Sequence, residues 1–316
     1  MIRTAECITP KHPDKICDRV SDAILDACLE QDSNTRAAIE TMGGHGIITI
    51  TGELTTDAYV DIPSVVKRVY GKEIGVQTNI VKQSPEIAQG VDTGGAGDQG
   101  IMVGYACNEN EEMIPQELYL ARDLCKKIYE VYPFDGKTQI TLDDGEIKTI
   151  VASFQNASDY SLEQIIFDWL DNETDGIEIH CNPAGDWTQG GFDADAGVTG
   201  RKLVVDNYGP RVPIGGGAFS GKDSSKVDRS AAYMARRIAV DFIKQSKAKE
   251  VYVYLAYAIG YDKPVQATAI VDGIEMVVDG IYDLSPNGII KTLELQKPKF
   301  EKTAEWGHMG TGQSWG

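Results

Sequence analysis

The sequence predicts an α+β fold made of three similar helix–hairpin–helix units. Three long helices, each with one apolar face, are predicted to start near residues 14, 115 and 225, at a spacing of roughly 100 residues. Each is followed by two β-branched segments joined by a short turn, and then by a second helix. Antiparallel hairpins of this kind favour mixed or antiparallel sheets with helices on their outer faces over a doubly wound sheet.

The first unit begins with a helix from about 14 to 30, because a proline opens it and apolar residues then recur along one face. β-Branched residues predict strands at 36–42 and 47–54, and the glycines between them suit a turn. A second helix is predicted at about 57–70.

The second unit repeats this order. A helix with a proline near its start spans about 115–132, and strands follow at 138–142 and 147–154. Asp-Asp-Gly supplies the hairpin turn between these strands. A second helix is predicted at about 161–171.

The third unit has a helix at 225–245, strands at 251–259 and 265–271, and a last helix at about 286–295. Expected domain boundaries are therefore 1–110, 111–200 and 201–316, with some interleaving between units.

Composition narrows the function. The chain has 316 residues, 42% of them apolar, and a net charge of −18. Such an acidic protein does not suit a nucleic acid or a polybasic membrane contact. Its six cysteines form no C-x-x-C pair, its four histidines form no i, i+4 pair, and its N-terminus has no secretory signal. We therefore expect reduced thiols, no structural zinc and a cytoplasmic location.

The glycine-rich loop, residues 215–230, is the main candidate for binding an anion. Four glycines lie within seven residues, two lysines follow, and a helix then starts. Glycine allows close approach of backbone N–H groups, and a helix start favours negative charge. Ser225 and Asp228 have the spacing of a capping box at that helix start. The alternative is a flexible loop with solvated lysines.

This loop is not a standard P-loop. Gly216 to Lys222 satisfies the first seven positions of the motif, but the eighth is Asp223, which has no hydroxyl for magnesium. Residues 208–213 before it do not resemble the buried strand that the motif follows.

Two helix starts carry unusual charged residues, and in a threefold fold such starts can converge. They would offer Lys15, Lys222 and Lys226 for phosphate, and Asp14 and Asp228 for a hard cation. Magnesium suits such a site, because it binds through one or two carboxylates plus substrate phosphates. Alternatively, the two aspartates only complement the helix dipoles.

Five further residues lie in unusual settings. Arg201 and Lys202 would add positive charge, and Trp187 would either stack on a base or cap the core at its rim. Glu40 and Glu53 are either surface charges or partners of an amine or a potassium ion. Taken together, the residues indicate a protein that handles a polyphosphate nucleotide with Mg²⁺.

At these same residues the chain resembles the S-adenosylmethionine synthetase family. The two most specific motifs are Gly-Ala-Gly-Asp-Gln-Gly at 95–100 and Gly-Gly-Gly-Ala-Phe-Ser-Gly-Lys-Asp at 215–223. Further matches lie at 12–15, 52–56, 82–92 and 195–202. The resemblance implies three αβ domains around a pseudo-threefold axis. It also implies that the sulfur of L-methionine attacks C5′ of ATP and that the released tripolyphosphate is hydrolysed to phosphate and diphosphate.

The resemblance also implies roles for single residues. Catalytic residues that donate to or grip the phosphates would be His12, Lys137, Arg201, Lys202 and Lys222. The rest of the nucleotide site would be Asp135, Trp187, Asp195 and Ala218. Methionine would contact Glu53, Gln89, Asp98, Asp195 and Lys226. Asp14 and Asp228 would hold two Mg²⁺ ions, and Glu40 would lie at a K⁺ site.

The resemblance further implies a homodimer with shared sites, with a tetramer as a common assembly. This chain departs from the family pattern at Pro10-Lys11, where Glu-Gly is usual, and its loop between Asp92 and Gly95 is short. Two other functions remain open: an ATP-dependent phosphotransferase, and a non-catalytic ring or clamp, which the charge of −18 disfavours.

Overall fold

The computed structural model describes residues 1–83, 94–278, 280–310 and 312–316. The strands are β1 (Ile2–Ile8), β2 (Arg36–Gly44), β3 (Ile47–Thr55), β4 (Gly75–Val81), β5 (Gly100–Cys107), β6 (Gly136–Asp143), β7 (Glu146–Phe154), β8 (Glu178–Cys181), β9 (Gly197–Val198), β10 (Glu250–Tyr257), β11 (Gln266–Val271) and β12 (Ile274–Val277). The helices in these ranges are α1 (Pro13–Leu29), α2 (Ile62–Tyr70), α3 (Gln116–Val131), α4 (Asp159–Trp169), α5 (Leu203–Asp206), α6 (Val227–Ser246), α7 (Pro286–Leu293) and α8 (Phe300–Thr303), with a 3₁₀ turn at Gly191–Asp193.

The strands form three four-stranded sheets, with the orders β9-β2-β3-β4, β1-β6-β7-β8 and β5-β10-β11-β12. In the first two sheets, two antiparallel pairings are followed by a parallel one. The third is antiparallel throughout. Each sheet is built on one of the predicted hairpins, and the predicted α+β class with three similar units is confirmed.

In each sheet, one of the two edge strands comes from another unit. Strand β1 precedes α1 but pairs with β6, which follows α3. In the same way β5 precedes α3 but pairs with β10, and β9 precedes α6 but pairs with β2. None of the three units therefore completes its sheet from its own residues.

Helix α6 packs against β5 and β10. Fourteen of its 20 residues are buried, including two arginines. A Cβ at Gly104 of β5 would stand 2.1 Å from the carbonyl carbon of Ala235, so only glycine permits this close contact of strand and helix. A large core draws most of its residues from the first and third units, and a smaller core consists of residues of the second unit together with Cys7 of β1.

One local prediction at the start of α6 is wrong. Ser225 does not cap the helix, because Lys226 occupies the N-cap position without a capping hydrogen bond from its side chain. The Ser225 hydroxyl is buried and has no hydrogen-bond partner among the residues that the structure describes, while its backbone N–H donates to Asp223. The Asp228 carboxylate, which a capping box would turn back onto the helix start, contacts the glycine-rich loop instead.

All six cysteines are free, and five of them are buried. Of the helices in the described ranges, not one has the length and apolar character needed to cross a membrane.

Candidate active site

His12 forms the N-cap of α1. Its ring Nδ1 accepts a hydrogen bond from the backbone N–H of Asp14 at 3.2 Å. Because a neutral imidazole carries its one proton on the other nitrogen when Nδ1 accepts, His12 presents Nε2–H as a donor. Burial and the nearby charges of Lys202 and Lys137 lower the pKa of His12 to about 4, so the ring is neutral at pH 7.

Asp14, the second residue of α1, belongs to the same site and is almost fully buried. One carboxylate oxygen accepts from Lys202 Nζ at 2.6 Å, and the other accepts from the backbone N–H of Val198 at 2.9 Å. Arg201 Nε lies 3.6 Å from the second oxygen. Burial would raise the pKa of Asp14, but the lysine and backbone hydrogen bonds outweigh it and hold the pKa below its usual range.

Backbone contacts position Arg201 and Lys202. A Cβ at Gly197 would stand 2.2 Å from the carbonyl carbon of Pro13, so this segment lies directly on the start of α1. Gly200, with φ +77°, turns the chain, and its N–H donates to Asp18 of α1 at 2.8 Å. Glycine, which has no side chain, is therefore required at both Gly197 and Gly200.

Lys15 is not a phosphate ligand, contrary to the expectation from the sequence. Its side chain is completely buried, donates to Asp18 at 3.0 Å and contacts Asp206. It joins α1 to α5 as a structural ion pair. An ammonium so enclosed by two carboxylates is not available to a ligand.

The second charged cluster lies in the glycine-rich loop. Lys222 Nζ donates to Asp228 at 2.6 Å, and the other oxygen of Asp228 accepts from the N–H of Gly217 at 3.2 Å. Glu40 on β2 lies beside Lys222, and its side chain reaches the surface. Desolvation raises the pKa of the Glu40 carboxyl, and the positive charge of Lys222 opposes this rise. Lys226 pairs with Asp223.

The loop is anchored at two points beneath Lys222. Gly221, with φ +81°, presses on β2, where a Cβ would stand 1.9 Å from the carbonyl oxygen of Ile39. Its N–H donates to Asp22 of α1 at 2.8 Å, and Arg229 donates to the backbone oxygen of Lys222 at 2.9 Å. Asp223, the residue that departs from the P-loop motif, helps to hold the loop on β2, because its carboxylate accepts a hydrogen bond from the backbone N–H of Ala37 at 2.8 Å.

A cleft of about 320 Å³ lies next to the start of α1 and contains Asp135. The Asp135 carboxylate accepts from the N–H of Gly191 at 2.9 Å, and burial raises its pKa. Trp187 is half-buried nearby, since a Cβ at Gly190 would meet its ring at 2.9 Å. Lys137 on β6 is exposed and, with Asp195, lies close enough to influence His12.

The remaining expected residues are more scattered. Glu53 lies on β3, and Asp98 is exposed just before β5. Gln89 lies outside the described residues. Ala218 of the glycine-rich loop contacts the segment that carries Arg201 and Lys202, because a Cβ added at Gly200 would stand 2.5 Å from the Cβ of Ala218.

The structure therefore gathers two clusters within one chain. The first contains His12, Asp14, Arg201 and Lys202, and the second contains Glu40, Lys222 and Asp228. Across the described ranges, no ion pair or hydrogen bond joins a residue of one cluster directly to a residue of the other.

Sequence reasoning identified Asp14 but missed three further aspartates of α1, Asp18, Asp22 and Asp26, which bind distant segments of the chain. Asp14, Asp18, Asp22 and Asp26 recur every fourth residue along α1, and each accepts a backbone N–H from a segment far away in the sequence. We call this row the aspartate ladder. The i, i+4 spacing of four like charges on one helix was the available signal, because such charges repel unless each has a partner.

The lowered pKa of His12 predicts its titration. In the folded protein the ring should titrate with a midpoint near 4, whereas the unfolded value is about 6.5. Between these values the unfolded chain binds more protons, so this residue's contribution to stability is complete above the upper value and lost as pH falls through this window. NMR titration of the His12 ring, assigned with a His12→Asn variant, measures the midpoint. A midpoint near the upper value would contradict the burial that we describe.

Comparison with known proteins identifies the same family as the sequence motifs. Three domain models of one family match the chain: the S-adenosylmethionine synthetase N-terminal domain at residues 1–91, the central domain at 93–187 and the C-terminal domain at 189–316. The S-adenosylmethionine synthase of Clostridium tetani is 41% identical, and the alignment covers 97% of this chain and 93% of that protein. The S-adenosylmethionine synthase of a Nitratiruptor species is 42% identical over 97% of this chain and 92% of its own length.

These alignments span 365 and 355 positions, more than the 316 residues of the chain, so both relatives contain segments that this chain lacks. All three family domains nevertheless match in order and together cover nearly every residue. The chain belongs to the S-adenosylmethionine synthetase family.

Proposed function

We propose that this protein makes S-adenosylmethionine from ATP and L-methionine. The methionine sulfur attacks C5′ of ATP, tripolyphosphate leaves, and the tripolyphosphate is then hydrolysed to phosphate and diphosphate. The observation that carries the proposal is the first cluster, where a neutral histidine that presents Nε2–H as a donor lies beside Lys202 and Arg201 at a helix start. That arrangement suits a highly charged leaving group.

The chemistry requires little activation of the nucleophile. A thioether sulfur attacks without losing a proton, so its main requirement is to be held in line with C5′. The larger barrier is charge that develops on the leaving tripolyphosphate, and preorganised donors reduce it most. In our proposal His12 donates Nε2–H to the departing oxygen. Lys137, Lys202, Lys222 and Arg201 hold the phosphates.

Two Mg²⁺ ions and one K⁺ ion would complete the site. The donor set fits magnesium, because Asp14 and Asp228 each supply one carboxylate beside a lysine that phosphate would also contact. No group of three or more His, Cys, Asp or Glu side chains in the described part of the chain would hold an ion without substrate. When bound, the metal supplies positive charge to the phosphate oxygens. Glu40 would lie at the K⁺ site.

The substrate contacts follow the same division. We assign the nucleoside to Asp135, to Asp195, to the Trp187 ring by stacking on adenine, and to the backbone of Ala218. We assign the methionine amino acid group to Glu53, Gln89, Asp98, Asp195 and Lys226. Half-burial of Trp187 beside the Asp135 cleft supports the first assignment.

A homodimer would unite the two clusters. The first cluster of one chain would face the second cluster of its partner, so that His12 and Lys222 act on one triphosphate from opposite sides. The lack of any direct link between the clusters within the described ranges supports this arrangement. We place the enzyme in the cytoplasm, where both substrates are available.

Product analysis tests the proposal. The protein is incubated with ATP, methionine, Mg²⁺ and K⁺, and the products are separated by chromatography. S-adenosylmethionine, phosphate and diphosphate are expected in equal amounts, and all three should disappear in Lys222→Ala while the circular dichroism spectrum is unchanged. ADP without S-adenosylmethionine would instead identify a phosphotransferase, and no turnover at all would favour a non-catalytic ring or clamp. Light scattering gives the size of the assembly, with a dimer expected.

A further inference from the structure

The two candidate metal ligands have matching surroundings. Asp14 and Asp228 are the second residues of α1 and α6, respectively. Each has one carboxylate oxygen 2.6 Å from a lysine Nζ, that of Lys202 for the first and Lys222 for the second. The other oxygen accepts a backbone N–H, from β9 in one case and from the glycine-rich loop in the other. The same arrangement, a carboxylate bound by one lysine and one backbone N–H, thus occurs at the starts of two different helices.

Both pairs are shielded from water. The carboxylates are 2% and 12% exposed and the lysine side chains are 19% and 20% exposed. A charge in such a place is costly without a partner, so each lysine stays on its carboxylate until another anion replaces that carboxylate. Likewise each carboxylate stays on its lysine until another cation arrives.

Resting on the proposed function, we propose that these two pairs are latches that couple metal binding to polyphosphate binding. A divalent cation alone must compete with an ammonium group for the carboxylate, and a polyphosphate alone must compete with a carboxylate for the lysine. When both ligands arrive together, the carboxylate turns to the metal and the lysine turns to the phosphate. No buried charge is then left without a partner, so each ligand strengthens the binding of the other by the same factor.

The first test uses Mn²⁺ alone, with no phosphate present. Electron paramagnetic resonance of free Mn²⁺ gives the dissociation constant for the complete protein and for Lys202→Gln and Lys222→Gln. Each variant removes the competing ammonium group, so each should bind Mn²⁺ roughly tenfold more tightly, within the usual range of coupling between sites. The control is Lys148→Gln, which removes an exposed lysine from its pair with Glu146 on β7 and should change nothing.

The second test uses tripolyphosphate with EDTA present, measured by calorimetry. Asp14→Asn and Asp228→Asn each free a lysine, so each should bind tripolyphosphate roughly tenfold more tightly than the unmodified protein. Unchanged or weaker binding in both tests would overturn the proposal. The two pairs are separate in the structure, so a variant that fails to fold, as shown by its thermal unfolding, leaves the other pair to decide.

The outcomes separate this inference from the proposed function. If the couplings are found but no S-adenosylmethionine is made, the latches stand and the assigned reaction fails. If S-adenosylmethionine is made but the four variants bind their probes no more tightly, only the latches are rejected.

Discussion

Replacing His12 with asparagine is expected to lower kcat about 10²- to 10³-fold, the effect of removing one donor aimed at developing charge. The Nε2–H that we assign to the departing oxygen is lost, while asparagine retains the N-cap function because its side chain also accepts a backbone N–H. The helix start and the neighbouring Asp14 should therefore stay in place. Initial rates at saturating ATP and methionine measure the effect.

The matched control for this substitution is His180→Asn. His180 lies on β8, partly exposed and paired with Glu178, away from both clusters. It should leave kcat unchanged. If His12→Asn also keeps the full kcat, His12 has no part in the chemical step.

Replacing Arg229 with methionine is expected to lower the free energy of unfolding by about 3–5 kcal/mol, the usual cost of leaving one partner of a buried ion pair alone. Arg229 is fully buried, and its two terminal nitrogens donate to Asp22 at 2.7 and 2.8 Å. It also stacks on the ring of Phe300, 4.1 Å from the centroid. Urea denaturation followed by circular dichroism measures the loss.

Arg237→Met on the same helix is the control. Arg237 is partly exposed and pairs with Asp241 at i, i+4, an interaction worth only about 0.3–0.5 kcal/mol. Similar losses in the two variants would show that the Asp22–Arg229 pair contributes no more than a surface pair. A double variant with Asp22→Asn should recover part of the loss, because the unpaired charge is gone.

The local elements of this fold were predictable from the sequence. Apolar periodicity identifies α1, α3 and α6, and β-branched runs with glycine turns identify the three hairpins, because these signals lie within about 20 residues. The edge strands β1, β5 and β9 were not predicted. Each pairs with a hairpin from another unit, so nothing in its neighbourhood along the chain reports its partner.

The candidate site was likewise predictable from the sequence only in part. Residue type and motif pointed to His12, Asp14, Lys202 and Lys222, and the structure places the first three together. Lys15 belongs to the same motif, yet it is buried between two carboxylates, because its partner Asp206 is 191 residues away in the sequence. Whether a lysine in a charged motif faces solvent depends on contacts that a local pattern does not contain.

The aspartate ladder has a consequence for the order of folding. In an isolated helix the like charges of the ladder at i, i+4 repel one another, which weakens α1. Backbone N–H groups that donate to the ladder come from the segments near 200, 221 and 300, far along the chain. Contacts over such separations form slowly, because much of the chain must be ordered first. We expect α1, although it is encoded near the N-terminus, to become stable only when the C-terminal segment near residue 300 has docked.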